Sequence, residues 1–402
     1  MSLLESLADA SVWEEFYEYK TSLAFGGQFA KELRSFIDNK AYLPVYEAIC
    51  SGKAFPLPRK TIISKQFSQK KRTVYTYPEP QNTVLKLLTY LLTRKFDCCF
   101  ATGLYSFRPH RTAKDVVKLL AALSRKAPLY AYKADISDYF NSIPVERLLP
   151  KLEGLFFDDP ETYSFLKALL TEESVISLGK VITERKGIMA GTPLSAFYAN
   201  LYLMELDRHF EDAGIPYARY SDDIIVFGRT EEEALEYSRN IRAYIGEAGL
   251  SINPKKETFF TPEEGWSFLG FDYKRGRLDV AASSVDKLKH KMRRKARALE
   301  RWKHANGLEG EKAAKAFIRI FNRKLFESPG DDEFSWCAWY FPVLGTCESL
   351  KLLDAYAQEL LRRLVTDRRT KARFNCRYED LKKLGYRSLV HEYYAYKRSY
   401  SC

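Results

Sequence analysis

The chain is poor in the residues that build metal clusters and staples. It has five histidines and seven cysteines in 402 residues. The thiols (Cys50, Cys98, Cys99, Cys337, Cys347, Cys376 and Cys402) are odd in number and never spaced Cys-x-x-Cys. That excludes a zinc ribbon and a disulfide framework, and leaves reduced, mostly structural thiols as the expectation. No His/Cys cluster of the endonuclease type occurs. Long apolar runs are also missing: nothing approaches the roughly 20 residues that cross a bilayer, and the start, Met1-Ser2-Leu3-Leu4-Glu5, has no basic leader segment. A soluble, cytoplasmic protein with no membrane partner is expected. An acidic excess is lacking as well. With 64 basic against 52 acidic residues the net charge is +12, which suits a polyanion and favours nucleic acid over acidic small molecules.

What is present is enough to fold. Apolar residues make up 46% and aromatics 14% of the chain, so a large core divided into two or three globular units is expected. Residues 1–55 show helical spacing (Trp13, Phe16, Tyr17; Phe29, Leu33, Phe36, Ile37) broken at Gly26-Gly27, giving two or three helices up to a boundary at Pro56 and Pro58. Residues 61–77 read as a hairpin carrying Lys65, Lys70, Lys71 and Arg72, either a phosphate-gripping loop or a solvated basic turn. Helices are predicted over 82–96 and 112–124. Between them Arg108 and Arg111 flank a proline turn and suit a nucleic-acid backbone as well as ordinary ion pairs.

Two adjacent acids organise the rest. Tyr220-Ser221-Asp222-Asp223-Ile224 joins two runs rich in β-branched and aromatic residues and reads as a hairpin tip. Alone, such a pair is a solvated turn neutralised by Arg219. A third acid alters the balance. Residues 129–135 read as an apolar strand ending in Asp135, where a carboxylate is costly unless a positive charge meets it. Gathering Asp135, Asp222 and Asp223 would cost on the order of 4 kcal/mol per pair at about 4 Å, which a divalent cation removes. The 87 residues separating Asp135 from Asp222 suit neighbouring strands joined by long crossovers.

Between them, Gly187 and Gly191 lead through Pro193 and Ser195 into a long helix, the glycines leaving room for a sugar or base pair. After the hairpin a helix is expected over 231–248, strand over 249–258, and one aromatic strand over 266–273. From Val285 an apolar stripe (Val285, Leu288, Met292, Ala296, Leu299, Trp302) lies opposite eight Lys and Arg residues, among them Lys291, Arg294 and Arg297. A solvated face or a duplex-binding face both fit. Residues 328–333 read as a loop.

The order of these blocks resembles the reverse transcriptase family over roughly residues 60–273. Lys133 to Phe140 looks like its motif A, Gly187 to Asp207 motif B, Tyr220 to Asp223 motif C, Asn253 to Lys256 motif D, and Phe268-Leu269-Gly270-Phe271 the primer grip. Ser106 to Arg111 looks like the block that precedes motif A in group II intron and other bacterial enzymes. The resemblance implies an α+β right-hand polymerase: fingers, a palm with an antiparallel sheet, a helical thumb, and an α-helical C-terminal extension. The implied boundaries are an N-terminal helical segment at 1–55, fingers at 56–130 and 144–195, palm at 131–143 and 196–280, and thumb with extension at 281–402.

It further implies RNA-directed DNA synthesis, with Asp135, Asp222, Asp223 and the Ile136 carbonyl holding two magnesium ions, manganese being the alternative. Lys65 and Arg72 would meet the triphosphate of a deoxynucleotide, Phe140 would stand against the 2′-hydroxyl, and Lys256 would give a proton to pyrophosphate. Ala190-Gly191 stands where most relatives have Gln-Gly, so the nucleotide pocket departs from theirs. Arg108, Arg111, Phe268, Leu269, Gly270, Lys291, Arg294 and Arg297 would touch nucleic acid. Segment 336–396 looks like the extension of bacterial defence-associated relatives, which implies an antiphage role, a non-coding RNA template and a DNA product or primer, and leaves homo-oligomers open. Competing expectations are template-independent or protein-primed synthesis, from Tyr393, Tyr394, Tyr396 or Tyr400, and a catalytically idle RNA-binding scaffold.

Overall fold

The computed structural model describes residues 2–23, 27–64, 71–184, 187–327, 335–368 and 372–399. It divides into two compact units, Met1–Val116 with Ala127–Pro262, and Val117–Lys126 with Glu263–Cys402.

In the first unit, α1 (Ala10–Ser22), α2 (Gly27–Asp38) and α3 (Leu43–Cys50) form the N-terminal helices and bury Trp13, Phe16, Leu33, Ile37 and Val45. After the two prolines, β1 (Arg59–Ser64) pairs antiparallel with β2 (Lys71–Thr76), Arg59 opposite Thr76. Helices α4 (Gln81–Lys95) and α5 (Ala113–Lys126) follow, the second started by a reciprocal Thr112/Asp115 cap and counted with the other unit from Val117 on. Strand β3 (Tyr130–Asp135) leads to α6 (Tyr139–Ser142), α7 (Val145–Leu155) and α8 (Pro160–Thr171).

Next comes a hairpin that no periodicity announced, β4 (Ser174–Ser177) with β5 (Lys180–Thr183). All four β5 residues are exposed, so there is no buried face to alternate. Its turn residues Leu178 and Gly179 both have positive φ, 51° and 79°, as a two-residue hairpin of this twist demands. These four strands make one sheet, β2-β1-β4-β5.

The long helix expected from Ser195 is two, α9 (Ser195–Tyr202) and α10 (Met204–Asp212), broken where Leu203 leaves helical geometry at φ −104° and ψ 16°. Strands β6 (Tyr217–Tyr220) and β7 (Asp223–Gly228) form the expected hairpin, and α11 (Glu231–Glu247) starts on its Thr230 cap. The strand expected over 249–258 is displaced to β8 (Thr258–Phe260). Asn253 and Pro254 instead make a tight turn, in which the Lys255 amide donates to the Asn253 side chain at 3.2 Å. The resulting antiparallel sheet, ordered β6-β7-β3-β8, carries the acids of interest.

In the second unit the single aromatic strand expected over 266–273 is a hairpin, β9 (Trp266–Phe268) and β10 (Phe271–Lys274), extended by β11 (Arg277–Val280). Leu269 and Gly270, at φ 50° and 86°, make the turn. The helices are α12 (Ala282–Ala305), α13 (Gly310–Phe326), α14 (Trp336–Tyr340), α15 (Glu348–Thr366), α16 (Ala372–Asn375), α17 (Tyr378–Lys383) and α18 (Leu389–Ser399), with α12, α13 and α15 packed on one another. The α12 stripe is buried as expected except at its end. Trp302 is exposed, and Lys303 is buried in its place, bonded to the Leu364 carbonyl and Asp367. No helix among the described residues is long and apolar enough to cross a membrane.

Candidate active site on the central sheet

Asp135 ends β3 and Asp223 opens β7, and the two are register partners. Antiparallel partners point to the same face, so the two carboxyls share one side of the sheet. Ser221, at φ 60°, makes the sharp turn that brings Asp222 beside them. The Asp222 carbonyl is then pinned by the Ile136 amide at 3.0 Å.

Burial pushes the Asp222 carboxyl above its ordinary range, and the charge of Asp135 adds to it, with Lys256 and Arg72 pulling the other way. Asp223 is pushed up to about 6 by burial first, and then by Asp222 and Asp135. Acids kept ionisable in a place that disfavours their charge mark a functional site. Among the described residues no ready-made group of three or more His, Cys, Asp or Glu side chains surrounds a metal position. A cation already sits on part of the cluster: the Lys256 ammonium lies 2.5 Å from Asp135 Oδ2, its side chain 53% exposed against 4% for the acid. Carboxylate oxygens of this kind are the donors that hard divalent ions take. The acids therefore fit a divalent ion that displaces the lysine.

The turn is braced from behind by groups the sequence reading did not assign. Arg219, which would neutralise Asp222 and Asp223 only if the pair were a plain solvated turn, points elsewhere. Its guanidinium pairs bidentately with Asp207, at 2.7 and 2.5 Å, with both side chains 0% exposed. Burial works against its charge, but Asp207 more than offsets this and holds Arg219 firmly ionised. The remaining donors reach the Ser221 and Asn200 carbonyls, both at 3.3 Å. Tyr217 donates to the same Asp207 at 2.9 Å. Ser106 accepts from the Ser221 amide at 2.8 Å, and its own carbonyl accepts from Asn200 at 2.8 Å. A buried arginine must be paired, and an arginine within an otherwise apolar strand was the available signal.

Other expected site residues have mixed placements. Arg72 lies on β2 within electrostatic reach of Asp222. Lys65 and Lys70 fall outside the described residues, as do Arg185 and Lys186. The Phe140 carbonyl accepts from Ile188 at 2.9 Å, and a Cβ on Gly187 would stand 2.3 Å from that same carbonyl. The Ala190 carbonyl accepts from the Tyr75 amide at 2.8 Å, and a Cβ on Gly191 would meet the Tyr75 carbonyl at 3.1 Å. The close approaches expected of these glycines are thus made by the chain's own backbone.

Arg108 is turned inward, its side chain 4% exposed, bonded to Asp97 and to the Ala101 and Leu104 carbonyls. Its guanidinium ties the loop, the ordinary ion pair that the sequence also allowed. Arg111 donates to the Thr102 carbonyl at 2.6 Å. In the second unit Phe268 is fully buried, while Leu269 and Gly270 are half-buried and the Gly270 carbonyl accepts from the Ala281 amide at 2.9 Å. On α12, Arg294 and Arg297 are exposed and Lys291 half-buried. Tyr393 is buried and donates to the Leu344 carbonyl at 2.8 Å, Tyr394 is exposed beside Cys347, and Tyr400 lies outside the described residues.

Residues 63–273, more than half of the chain, match the family model described as reverse transcriptase (RNA-dependent DNA polymerase). The chain belongs to the reverse transcriptase family. Its α+β architecture, with many helices and largely antiparallel sheets, is the right-hand polymerase fold of that family. A search of curated proteins found no match. Among solved structures, the chain is similar to apo telomerase of Candida tropicalis truncated of its C-terminal domain, at 12% identity and TM-score 0.46, covering 56% of this chain and 55% of that one. It is also similar to telomerase of Candida albicans in complex with a TWJ fragment of telomeric RNA, at 12% identity and TM-score 0.46, covering 82% of this chain and 63% of that one. The chain thus spans under two thirds of the length of these telomerases, and the family assignment rests on the sequence match.

Proposed function

We propose that the protein is an RNA-directed DNA polymerase that extends a DNA or RNA primer from deoxynucleoside triphosphates. The observation that carries this reading is the register pairing of Asp135 with Asp223 beside the Ser221-Asp222 turn. Asp135, Asp222, Asp223 and the Ile136 carbonyl would hold two divalent ions, magnesium or manganese. When bound, these activate the primer 3′-hydroxyl and stabilise the leaving pyrophosphate. Arg72, with Lys65, draws the triphosphate toward the acids. Phe140 stands against the 2′ position and selects deoxyribose. Lys256, released from Asp135, gives its proton to the departing pyrophosphate. Ala190 supplies no side-chain hydrogen bond to the nucleotide, so selection there rests on shape.

In this reading the β6-β7-β3-β8 sheet is the palm, the β2-β1-β4-β5 sheet belongs to the fingers, and α12 opens the thumb. Arg111, the Leu269-Gly270 turn and the Lys291, Arg294, Arg297 face contact template and primer. An antiphage role on a non-coding RNA template, with homo-oligomers as a form to be tested, is the biological reading we favour. It is supported by the likeness of segment 336–396 to defence-associated relatives. Protein priming is disfavoured for Tyr393, whose hydroxyl is buried and engaged.

The test is template-directed extension by the purified protein with magnesium. We expect incorporation by the parent chain and none by Asp222→Ala/Asp223→Ala at equal RNA binding. A double variant that still polymerises refutes the site. A parent chain that binds RNA but incorporates nothing supports a scaffold instead.

A further inference from the structure

We propose that Phe107 is a positioning residue of the nucleotide pocket: its ring backs Phe140 and thereby sets discrimination between deoxyribonucleotides and ribonucleotides. The inference rests on the reading of Phe140 as the group that meets the 2′ position.

Phe107 sits at φ 55°, in the left-handed region that aromatic side chains rarely adopt. Such a conformation persists where the surroundings over-determine it. Both neighbours do so here. Ser106 is locked by Ser221 and Asn200, and Arg108 by Asp97 and two loop carbonyls. The segment held in this way presents a ring that is 44% exposed, so core burial does not account for it. What the ring meets is Phe140, edge to face, with centroids 6.3 Å apart and planes at 81°.

Besides Phe107, Phe140 is held by its backbone, by Tyr139 and by packing of its partly buried side chain against the main core. Its carbonyl accepts from Ile188, and the Tyr139 ring lies 5.7 Å away, itself anchored by a hydroxyl bond to the Ala199 carbonyl. Among the described residues, Tyr139 and Phe107 are the rings in contact with Phe140. Tyr139 is buried and fixed from the core side, whereas Phe107 stands on the exposed side. Removing Phe107 would let the Phe140 ring swing away, opening room for one oxygen atom. A gate works by rigidity, and a one-atom difference is discriminated only if the wall does not yield.

The experiment is single-nucleotide insertion by the purified full chain, measuring kcat/KM for a deoxynucleotide and for the matching ribonucleotide. Phe107→Ala is expected to lower the ratio of the two by about tenfold, chiefly by raising ribonucleotide use. Phe107→Tyr keeps the ring and is expected to stay within about twofold of the parent. Phe140→Ala serves as the reference for an open gate. Phe107→Leu keeps apolar bulk without the edge-to-face contact; it is expected between the two, and replaces Phe107→Ala if melting shows that variant misfolded. An unchanged ratio in the Phe107 variants beside a lowered one in Phe140→Ala overturns the inference and leaves the gate standing. An unchanged ratio in Phe140→Ala overturns the gate itself. Equal loss for both substrates in Phe107→Ala, or weakened RNA binding with the ratio intact, overturns it too, assigning Phe107 to template stacking.

Discussion

Replacing Arg219 with methionine separates the structural from the positioning role of the pair behind the Ser221-Asp222 turn. Arg219 and Asp207 are both fully buried and joined by two short hydrogen bonds. Removing one partner of such a pair strands a charge out of water, at a cost of about 3–5 kcal/mol. Arg219→Met and Asp207→Asn should each cost that much in urea unfolding. Additivity would give about 6–10 kcal/mol for the double variant, enough to unfold most domains. The double variant strands no charge, and asparagine still accepts from Tyr217. Its expected cost is about 2–4 kcal/mol, a coupling of several kcal/mol in the cycle. Nucleotide insertion should not recover in parallel. Methionine cannot donate to the Ser221 carbonyl, so the turn carrying Asp222 stays loose and kcat stays depressed while stability returns. A double variant that regains both would reduce the pair to a structural one. A cost below about 1 kcal/mol for Arg219→Met would refute its buried pairing altogether.

Gly187→Ala forces a Cβ to within 2.3 Å of the Phe140 carbonyl, whereas Gly214, also at positive φ, has open space. Gly214→Ala should therefore cost about 1 kcal/mol, and Gly187→Ala more than that with loss of nucleotide insertion; equal costs would mean the contact is absent. Asp222→Ala/Asp223→Ala should hold or raise the melting temperature at neutral pH without divalent ions, because both acids are held above their ordinary range, first by burial and then by neighbouring charge. A marked drop in melting temperature would contradict that electrostatic picture. Asp159 behaves oppositely. Burial raises its carboxyl, but hydrogen bonds from Leu3, Thr162 and Ser2 outweigh it and hold it below 3.8. With a folded value below the unfolded one, its stabilisation is present above about pH 4 and fades as pH falls further. Asp159→Asn should flatten that acid limb of the stability profile; an unchanged limb refutes the assignment.

The acids were legible because their strands are. Residues 129–135 and 224–227 carry β-branched and aromatic residues, and a carboxylate at the end of such a run has few structural explanations. Order along the chain then made a weak turn pair specific. What stayed hidden was direction. Arg108 and Arg219 each sit beside a motif segment, and charge alone left Arg108 between nucleic acid and an ordinary ion pair, and gave Arg219 to the acids only as a plain turn. Both turn inward, because a loop and a strand edge needed donors for buried carbonyls and carboxylates. The 266–273 hairpin was read as one strand because its turn, Leu269-Gly270, lies among aromatics. The β4-β5 hairpin escaped because an exposed pair of strands has no alternating face.

These inward turns would leave the acid cluster negative enough to hold the proposed cations. Had Arg219 faced Asp222 and Asp223, a fixed guanidinium would have neutralised them permanently, and no divalent ion would gain much by entering. Asp207 engages that charge on the far side of the turn, so Arg219 contributes rigidity without field. The compensation that remains is of another kind. Lys256 reaches Asp135 from a half-exposed, flexible stem, and lysine, unlike a bidentate arginine, holds as a point charge that can move off. Arg72 acts from the exposed face of β2. One cation is locked away to shape the turn, and the others are displaceable. In the proposed reading, an acid cluster that exchanges ions at every turnover needs that division.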